Sequence, residues 1–137
     1  MHTDEPSVFS GVCPARELLD RLADKWTALV IGVLSHRGVP VRFTELRRAV
    51  GGISQKMLTQ TLRDMERDGL VVRTVYSVMP PRVEYAISPL GQTVIEPLTA
   101  LSAWAEAHMP QVRVAQRAFD ARAESVAIAW RGSEATA

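Results

Sequence analysis

The stretch from residue 52 to residue 69, GISQKMLTQTLRDMERDG, constrains the fold more than any other part of the sequence. Ser54 is a typical residue at the N-cap of a helix, and Gly69 is typical of the position just beyond a helix C-terminus. Apolar residues at helical spacing predict one buried face: Leu58, Leu62 and Met65. The stretch therefore predicts an amphipathic helix with two defined ends and a polar outer face.

The polar face of this helix carries long hydrogen-bonding and cationic side chains within an arc of roughly 140°. In angular order these residues are Gln55, Thr59, Arg63, Lys56, Arg67 and Gln60. Such side chains read base edges and hold phosphates, and an α-helix fits the major groove of DNA. An ordinary solvated helix face has a similar composition, so the neighbouring elements must decide between the two interpretations.

A second, short helix is predicted just before this one. Thr44 is a plausible N-cap for it, and Gly51-Gly52 ends it. Its inward-facing residues are predicted to be Phe43, Leu46, Ala49 and Val50. A short helix, the four-residue turn GGIS and a second helix form a helix-turn-helix pattern.

A β-hairpin is predicted directly after Gly69, where the apolar period changes from 3.6 to 2. The strands are predicted at 70–75 (LVVRTV) and 83–87 (VEYAI), and Pro80-Pro81 between them cannot continue a strand. A hairpin in this place makes the pattern a winged helix-turn-helix. Arg73 and Arg82 are then expected to reach phosphates or the adjacent minor groove. The alternative for Arg82 is a salt bridge to Glu84 or another neighbour.

The remaining helices complete a mainly α fold. Pro14 suits the first position of a helix whose N-cap is Cys13, and a strongly apolar helix should end near Gly38. Pro89 and Gly91 open a last core helix, and Pro110 is expected to break it. After Pro110 the apolar residues are spaced 3, 4, 4, 3 and 4 apart: Val112, Ala115, Phe119, Ala123, Val126 and Trp130. This second segment is either a packing arm or an amphipathic helix folded on its own domain.

The predicted organisation has four parts. Residues 1–12 form a flexible N-terminal arm, and residues 13–109 form a winged helix-turn-helix domain with dimerisation helices. Residues 110–130 form a C-terminal helical extension, and residues 131–137 form a disordered tail. The fold class is mainly α with a small β-hairpin.

Charge and composition exclude several functions. The net charge of the 137-residue chain is +1, yet residues 36–73 hold eight basic and four acidic residues. No apolar run approaches the roughly 20 residues of a membrane span, and the N-terminus does not resemble a secretory signal, so a cytoplasmic protein is expected. The three histidines are scattered, and there is no glycine-rich phosphate loop. We therefore expect no metal, no cofactor and no enzyme activity.

These motifs together resemble the HxlR family of bacterial transcriptional regulators, which are winged helix-turn-helix proteins. The matching segments, within residues 12–108, are Cys13-Pro14, ADKWTALVIGVL, RFTEL, GISQKMLTQTLRDMERDGLVVR and PPRVEYAISPLG. Asp24 departs from the pattern, because relatives often have glycine before Lys25-Trp26. The resemblance implies a homodimer, formed through the first and last helices, that binds a two-fold-related operator and usually represses.

The resemblance also implies which residues contact DNA and how binding is switched. The base-facing residues would be Ser54, Gln55, Lys56, Thr59, Gln60 and Arg63, with Arg42, Thr44, Arg73 and Arg82 at the backbone. Some members of the family sense oxidants, quinones or aldehydes through a cysteine at the position of Cys13. A thiolate at a helix N-terminus is stabilised by the amide donors and the helix dipole, which favours this role.

Three alternatives stay open. In the first, Cys13 is an inert buried residue, since cysteine is often a small core side chain. In the second, the regulator responds to a small molecule bound in a pocket between the wing and the last helix. In the third, the winged helix is a protein-interaction module, and its polar face is merely solvated.

Overall fold

The computed structural model describes Val8 and residues 13–134, and this part of the chain forms five helices and three strands. The elements are α1 (Pro14–Leu22), α2 (Lys25–Arg37), β1 (Val41–Arg42), α3 (Phe43–Val50), α4 (Gln55–Arg67), β2 (Val71–Tyr76), β3 (Arg82–Ile87) and α5 (Pro89–Glu134). This order confirms a mainly α fold with a β-hairpin. The predicted flexible arm at 1–12 lies outside the described residues, Val8 apart.

Local signals set the ends of α1 and α2. Pro14 begins α1 and Cys13 is its N-cap, as the sequence predicts. Asp24 caps α2, because one carboxylate oxygen accepts hydrogen bonds from the backbone N–H groups of Trp26 and Thr27 at 2.8 and 3.4 Å. Gly38 ends α2 with a left-handed φ of 65°. The residue that departs from the family pattern therefore stabilises the start of α2.

The predicted capping role of Thr44 is wrong. Helix α3 begins at Phe43, and its N-cap is Arg42, which makes no side-chain capping bond. The reason is β1, a two-residue strand that pairs antiparallel with β3 and keeps the backbone extended through Arg42. Ala49, expected to face inward, is exposed, whereas Leu46 is fully buried.

The three strands form one antiparallel sheet in the order β1-β3-β2. Strands β2 and β3 make the wing hairpin, with Val71 opposite Ile87 and Tyr76 opposite Arg82. Tyr85 of β3 is buried, and its ring lies 6.5 Å from that of Phe43. The sheet thus fixes the wing against the start of α3.

One core holds the helix-turn-helix and the wing together. Its fully buried side chains include Val30 and Leu34 of α2, Leu46 of α3, and Leu58 and Leu62 of α4. The first turns of α5 add three partly buried residues, Val94, Ile95 and Leu98. The chain divides into two compact units, residues 1–98 and residues 99–137, and this core belongs to the first.

A close backbone contact joins the exit of α4 to the start of α5. The Ser88 N–H donates to the Leu70 carbonyl at 3.0 Å, and the Ser88 hydroxyl donates to the Gly69 carbonyl. The same hydroxyl oxygen accepts from the Gly91 N–H at 2.9 Å. Gly91 has no room for a side chain, because a Cβ there would lie 2.2 Å from the Leu70 carbonyl oxygen. The backbone at Leu70, three residues beyond α4, is therefore fixed by the start of α5.

The predicted helix break at Pro110 is also wrong, because α5 runs without interruption from Pro89 to Glu134. A proline inside a helix removes one hydrogen bond, but the alanine-rich sequence around it favours helix. Residues 131–134, predicted as part of a disordered tail, are helical as well, and residues 135–137 lie outside the described part. Across the described residues, no helix combines the length and the apolar character that a membrane span requires.

Candidate nucleic-acid interface

Helix α4 begins and ends where the sequence predicts. The Ser54 hydroxyl accepts a hydrogen bond from the Met57 N–H at 3.0 Å and so caps the helix. At the other end the Leu70 N–H donates to the Met65 carbonyl and the Gly69 N–H to the Glu66 carbonyl, at 2.9 and 3.0 Å. This pair of bonds is a Schellman motif, which Gly69 permits through its φ of 78°.

The two faces of α4 separate as the helical wheel predicts, with one exception. The buried residues are Leu58, Thr61, Leu62 and Met65. The exposed residues include every member of the predicted polar arc: Gln55, Lys56, Thr59, Gln60, Arg63 and Arg67. The exception is Met57, an apolar residue that is 45% exposed. The polar face of α4 is therefore open to a partner.

Two residues of this face already make local hydrogen bonds. The Thr59 hydroxyl donates to the Gln55 carbonyl at 2.8 Å, and the Gln60 amide donates to Asp64 at 3.0 Å. Within the described part of the chain, no hydrogen bond or ion pair engages Lys56 or Arg63. These two cations are therefore free to bind an anionic partner.

The wing places Arg73 beside α4. Arg73 is exposed on β2 and lines one cleft together with Thr59 and Arg63 of α4. Glu66 also lines this cleft, so one carboxylate lies among its two cations. The cleft opens between α4 and the wing, where a nucleic-acid backbone beside the helix would pass.

Arg82 makes the contact that the sequence analysis gives as the alternative, a salt bridge to Glu84. Its Nε is 3.3 Å from a carboxylate oxygen of Glu84, and its guanidinium lies 4.3 Å from the centre of the Tyr76 ring. Among the described residues this Nε has no hydrogen-bond partner, so the contact is an ion pair without a well-aligned bond. The tip itself carries no charge between Tyr76 and Arg82, and Met79 is 94% exposed there.

The start of α3 and the helix-turn-helix turn contribute a second basic surface. Arg42 and Thr44 are exposed, and Thr44 lines a shallow cleft with Arg48 and Ser54. Arg47 in the same cleft donates to the Ile53 carbonyl at 3.2 Å and so holds the turn. Arg48 was not among the predicted site residues, although it belongs to the basic central segment of the sequence.

Cys13 is the N-cap of α1, as predicted, and is almost fully buried at 1% exposure. Its carbonyl accepts hydrogen bonds from the N–H groups of Arg16 and Glu17, at 3.0 and 3.2 Å. Its side chain makes no capping bond.

Helix α1 is tied to the end of α4 by Arg21, which makes a bidentate ion pair with Asp68 at 2.8 and 2.9 Å. That carboxylate raises the pKa of Arg21.

Potential metal-binding side chains do not cluster within residues 13–134. The described residues contain no group of three or more His, Cys, Asp or Glu side chains arranged to hold a metal ion. His108 stacks on Trp104 in the second unit, whereas His36 lies in the last turn of α2. The residues that do come together are cationic and amide side chains on α4, the turn and the wing.

Comparisons with known proteins agree on one class. The model of a family described as HxlR-like helix-turn-helix matches residues 21–113. An uncharacterised HTH-type transcriptional regulator of Escherichia coli K12, YtfH, is 43% identical over 108 residues, which cover 79% of this chain and 84% of the relative.

Two solved structures extend this result. A transcriptional regulator ytfH from Salmonella typhimurium superposes with a TM-score of 0.71 at 43% identity, covering 82% of this chain and 98% of that one. The redox regulator HypR in its oxidized form superposes with a TM-score of 0.60 at 36% identity, covering 69% of this chain and 96% of that one. The shared fold is the winged helix-turn-helix described above.

Proposed function

The chain belongs to the HxlR-like helix-turn-helix family, and from this premise we propose that it binds a two-fold-related operator as a homodimer and represses transcription. That it is a DNA-binding transcriptional regulator and not an enzyme follows from the family and from its relatives. One observation carries the proposal: the exposed face of α4 presents Lys56 and Arg63, which no other described residue engages, beside Arg73 of the wing. Such a regulator acts on DNA in the cytoplasm.

The contacts are divided between bases and backbone. The residues proposed to face the bases are Ser54, Gln55, Lys56, Thr59, Gln60 and Arg63. Long side chains on one helix face suit the major groove, where Arg or Lys binds guanine and Gln binds adenine. The residues proposed to bind the backbone are Arg42, Thr44, Arg73 and Arg82. Arg82 would use its terminal nitrogens, since its Nε faces Glu84.

A homodimer matches the two-fold form of the proposed operator. Two copies related by a two-fold axis place their recognition helices about 34 Å apart, one turn of DNA, and so read inverted half-sites. As in the family that this chain belongs to, α1 and α5 would supply the dimer surface.

The proposed switch is oxidation or alkylation of Cys13 by an oxidant, quinone or aldehyde. Its position at the N-cap of α1 supports the proposal, as does the similarity to a redox regulator. With one cysteine in each chain, an oxidant such as diamide removes two protons and two electrons from two Cys13 thiols and leaves an inter-chain disulfide. Because Cys13 is buried, the start of α1 must open for this reaction.

The same burial favours a second candidate, a regulator that responds to a bound small molecule while Cys13 stays inert. A fully buried thiol is a common core residue, and it is protected from reagents. The variant Cys13→Ser separates the two candidates. The response to inducer survives in the ligand-binding regulator and is lost in the thiol switch.

The test is a fluorescence anisotropy titration of labelled DNA from upstream of the protein's own gene, with scrambled DNA as the control. A dimer that contacts about eight phosphates gives a log–log salt slope of roughly −7 on specific DNA. Specific binding that diamide abolishes in the wild type, but not in Cys13→Ser, supports the whole proposal. Specific binding that ignores diamide leaves the regulator and removes the thiol switch. If, at low salt, the protein binds the upstream DNA no more tightly than scrambled DNA, operator binding at this site is contradicted.

A further inference from the structure

An apolar stripe runs along the second unit of the chain. Its nine residues follow a 3-4-4 spacing that repeats every eleven residues: Leu101, Trp104, His108, Val112, Ala115, Phe119, Ala123, Val126 and Trp130. The large members are open, with exposures of 64% for Leu101, 63% for Phe119 and 66% for Trp130. His108 is part of this surface, because its ring stacks on Trp104 at 4.6 Å. We call this surface the 3-4-4 stripe.

The rest of the helix supports the stripe as a contact surface. On a helical wheel the stripe occupies an arc of about 100°, and most charged residues of the helix lie on the far side. Those residues are Glu106, Arg113, Arg117, Asp120, Glu124 and Arg131. Arg122 alone, among the charged residues between 101 and 131, borders the stripe. An eleven-residue repeat also stays on one side of a nearly straight helix, at about 3.67 residues per turn.

We propose that the 3-4-4 stripe packs antiparallel against the same stripe of a second copy of this chain, with the two-fold axis beside Ala115. A two-fold interface must be self-complementary, so its residues must lie at equal distances on both sides of the axis. Three pairs of stripe residues meet this condition about a point between residues 115 and 116, and Trp104 and Val126 come within one residue of it. Val112 and Phe119 are equally far from that point, and so are His108 and Ala123.

The pairing also matches large side chains with smaller ones. Phe119 of each copy faces Val112 of the other, and Trp130 faces Leu101. Trp104 faces the turn that carries Val126, and Ala115 faces its own copy, where the helices approach most closely. Alternation of large and small residues across facing positions gives dense packing without voids.

The available apolar area is large enough for a stable contact. A fully buried aromatic side chain removes about 150–250 Å² from water. Trp104, Phe119 and Trp130 are 55%, 63% and 66% exposed, so the six of them in two copies can bury roughly 500–900 Å² more. The aliphatic members add to this area, so the total reaches the roughly 1,000 Å² that a specific interface needs.

This inference deepens the proposed homodimer, because it names a further contact between the same two copies and its register. The matched family segment ends at residue 113, so Phe119, Ala123, Val126 and Trp130 lie beyond it. The second half of the stripe is thus a surface that this chain adds to the family fold.

The first test measures the dimer dissociation constant of the full chain by analytical ultracentrifugation. Phe119→Ser should raise it by roughly 30-fold or more, because both copies lose an aromatic residue from the interface. Ile128→Ser is the matched control: Ile128 is 61% exposed on the same helix but lies outside the stripe. The control should stay within about threefold of the wild type. Circular dichroism confirms that both variants keep the helix.

The outcomes separate this inference from the proposed function. A wild-type dimer that Phe119→Ser leaves unchanged overturns the stripe pairing and keeps the homodimer. A wild-type chain that stays monomeric overturns both. If Phe119→Ser lowers the melting temperature without weakening the dimer, the stripe packs within its own chain, and the pairing is likewise overturned.

A second test fixes the register by cysteine cross-linking in the Cys13→Ser background. Val112→Cys mixed with Phe119→Cys should form a disulfide heterodimer, since the two positions face each other. Phe119→Cys alone should not cross-link, because its two copies lie about 10 Å apart along the antiparallel pair, beyond disulfide reach. Efficient cross-linking of Phe119→Cys alone overturns the antiparallel arrangement in favour of a parallel one.

Discussion

Replacing Gly91 by alanine tests the contact between the exit of the recognition helix and the start of α5. The added Cβ would lie 2.2 Å from the Leu70 carbonyl oxygen and 2.8 Å from the Ile87 Cγ1 atom. Carbon and oxygen atoms that are not bonded need more than 3 Å, so the backbone at Leu70 or at Gly91 must move by about 1 Å.

The cost of that movement follows from the bonds that it breaks. The Leu70 carbonyl accepts from the Ser88 N–H, and the Gly91 N–H donates to the Ser88 hydroxyl. Each of these hydrogen bonds contributes about 1 kcal/mol, and overpacking adds about 1–3 kcal/mol. Alanine returns part of this through its better helix propensity. We expect Gly91→Ala to lower the free energy of unfolding by about 2–4 kcal/mol, or the melting temperature by about 8–16 °C.

Gly32→Ala is the matched control for this measurement. Gly32 lies inside α2, and a Cβ there would meet nothing within 4 Å. The same substitution should therefore raise the free energy of unfolding by about 0.5–1 kcal/mol. Urea unfolding followed by circular dichroism at 222 nm gives both values. If Gly91→Ala is as stable as the wild type, the backbone at Leu70 is not held by α5, and the argument for a fixed exit of α4 fails.

Four further substitutions test α4 and its cap. Leu62→Ala should destabilise the fold by about 2–5 kcal/mol in thermal unfolding, because Leu62 is fully buried; an unchanged melting curve would mean that the face of α4 is assigned wrongly. Arg63→Ala should weaken operator binding by about 1–3 kcal/mol in anisotropy titrations, and an equal loss on random DNA would mark a phosphate contact instead. Ser54→Ala should lower stability by about 1 kcal/mol, since the cap to Met57 is lost. Ser54→Asp should keep that stability yet weaken DNA binding by repelling phosphates, and unaltered binding would place Ser54 away from the DNA.

Features that are determined by residues nearby in the sequence were predicted correctly. The ends of α4 depend on Ser54 and Gly69, which act within a few residues of themselves, and both predicted ends are confirmed. The hairpin strands lie within one residue of their predicted limits, because the apolar period and the two prolines mark them locally. The exposure of the polar arc was likewise predictable from helical spacing alone.

Features that depend on distant partners were missed. Strand β1 has two residues, too few to show a period, and it exists because β3 pairs with it. The break expected at Pro110 followed a local rule that the helix-favouring sequence on both sides overrides. The burial of Cys13, which the sequence analysis left open as an alternative, is set by tertiary packing that spacing in the sequence does not report. Arg82 contacts Tyr76 because the hairpin register places the two opposite each other.

The hydrogen bond between Gln60 and Asp64 has a consequence for how such a helix would tell one base from another. A glutamine with an internal partner approaches DNA already satisfied, so a base edge must offer a better bond than the carboxylate does. A base with the wrong hydrogen-bonding pattern would leave Gln60 bonded to Asp64 and would gain no contact from it. A matching base would draw the Gln60 amide away from Asp64 by offering it two hydrogen bonds. If Gln60 contacts a base as proposed, Asp64 would set a threshold for recognition, and a variant without Asp64 should bind more DNA sequences and distinguish fewer.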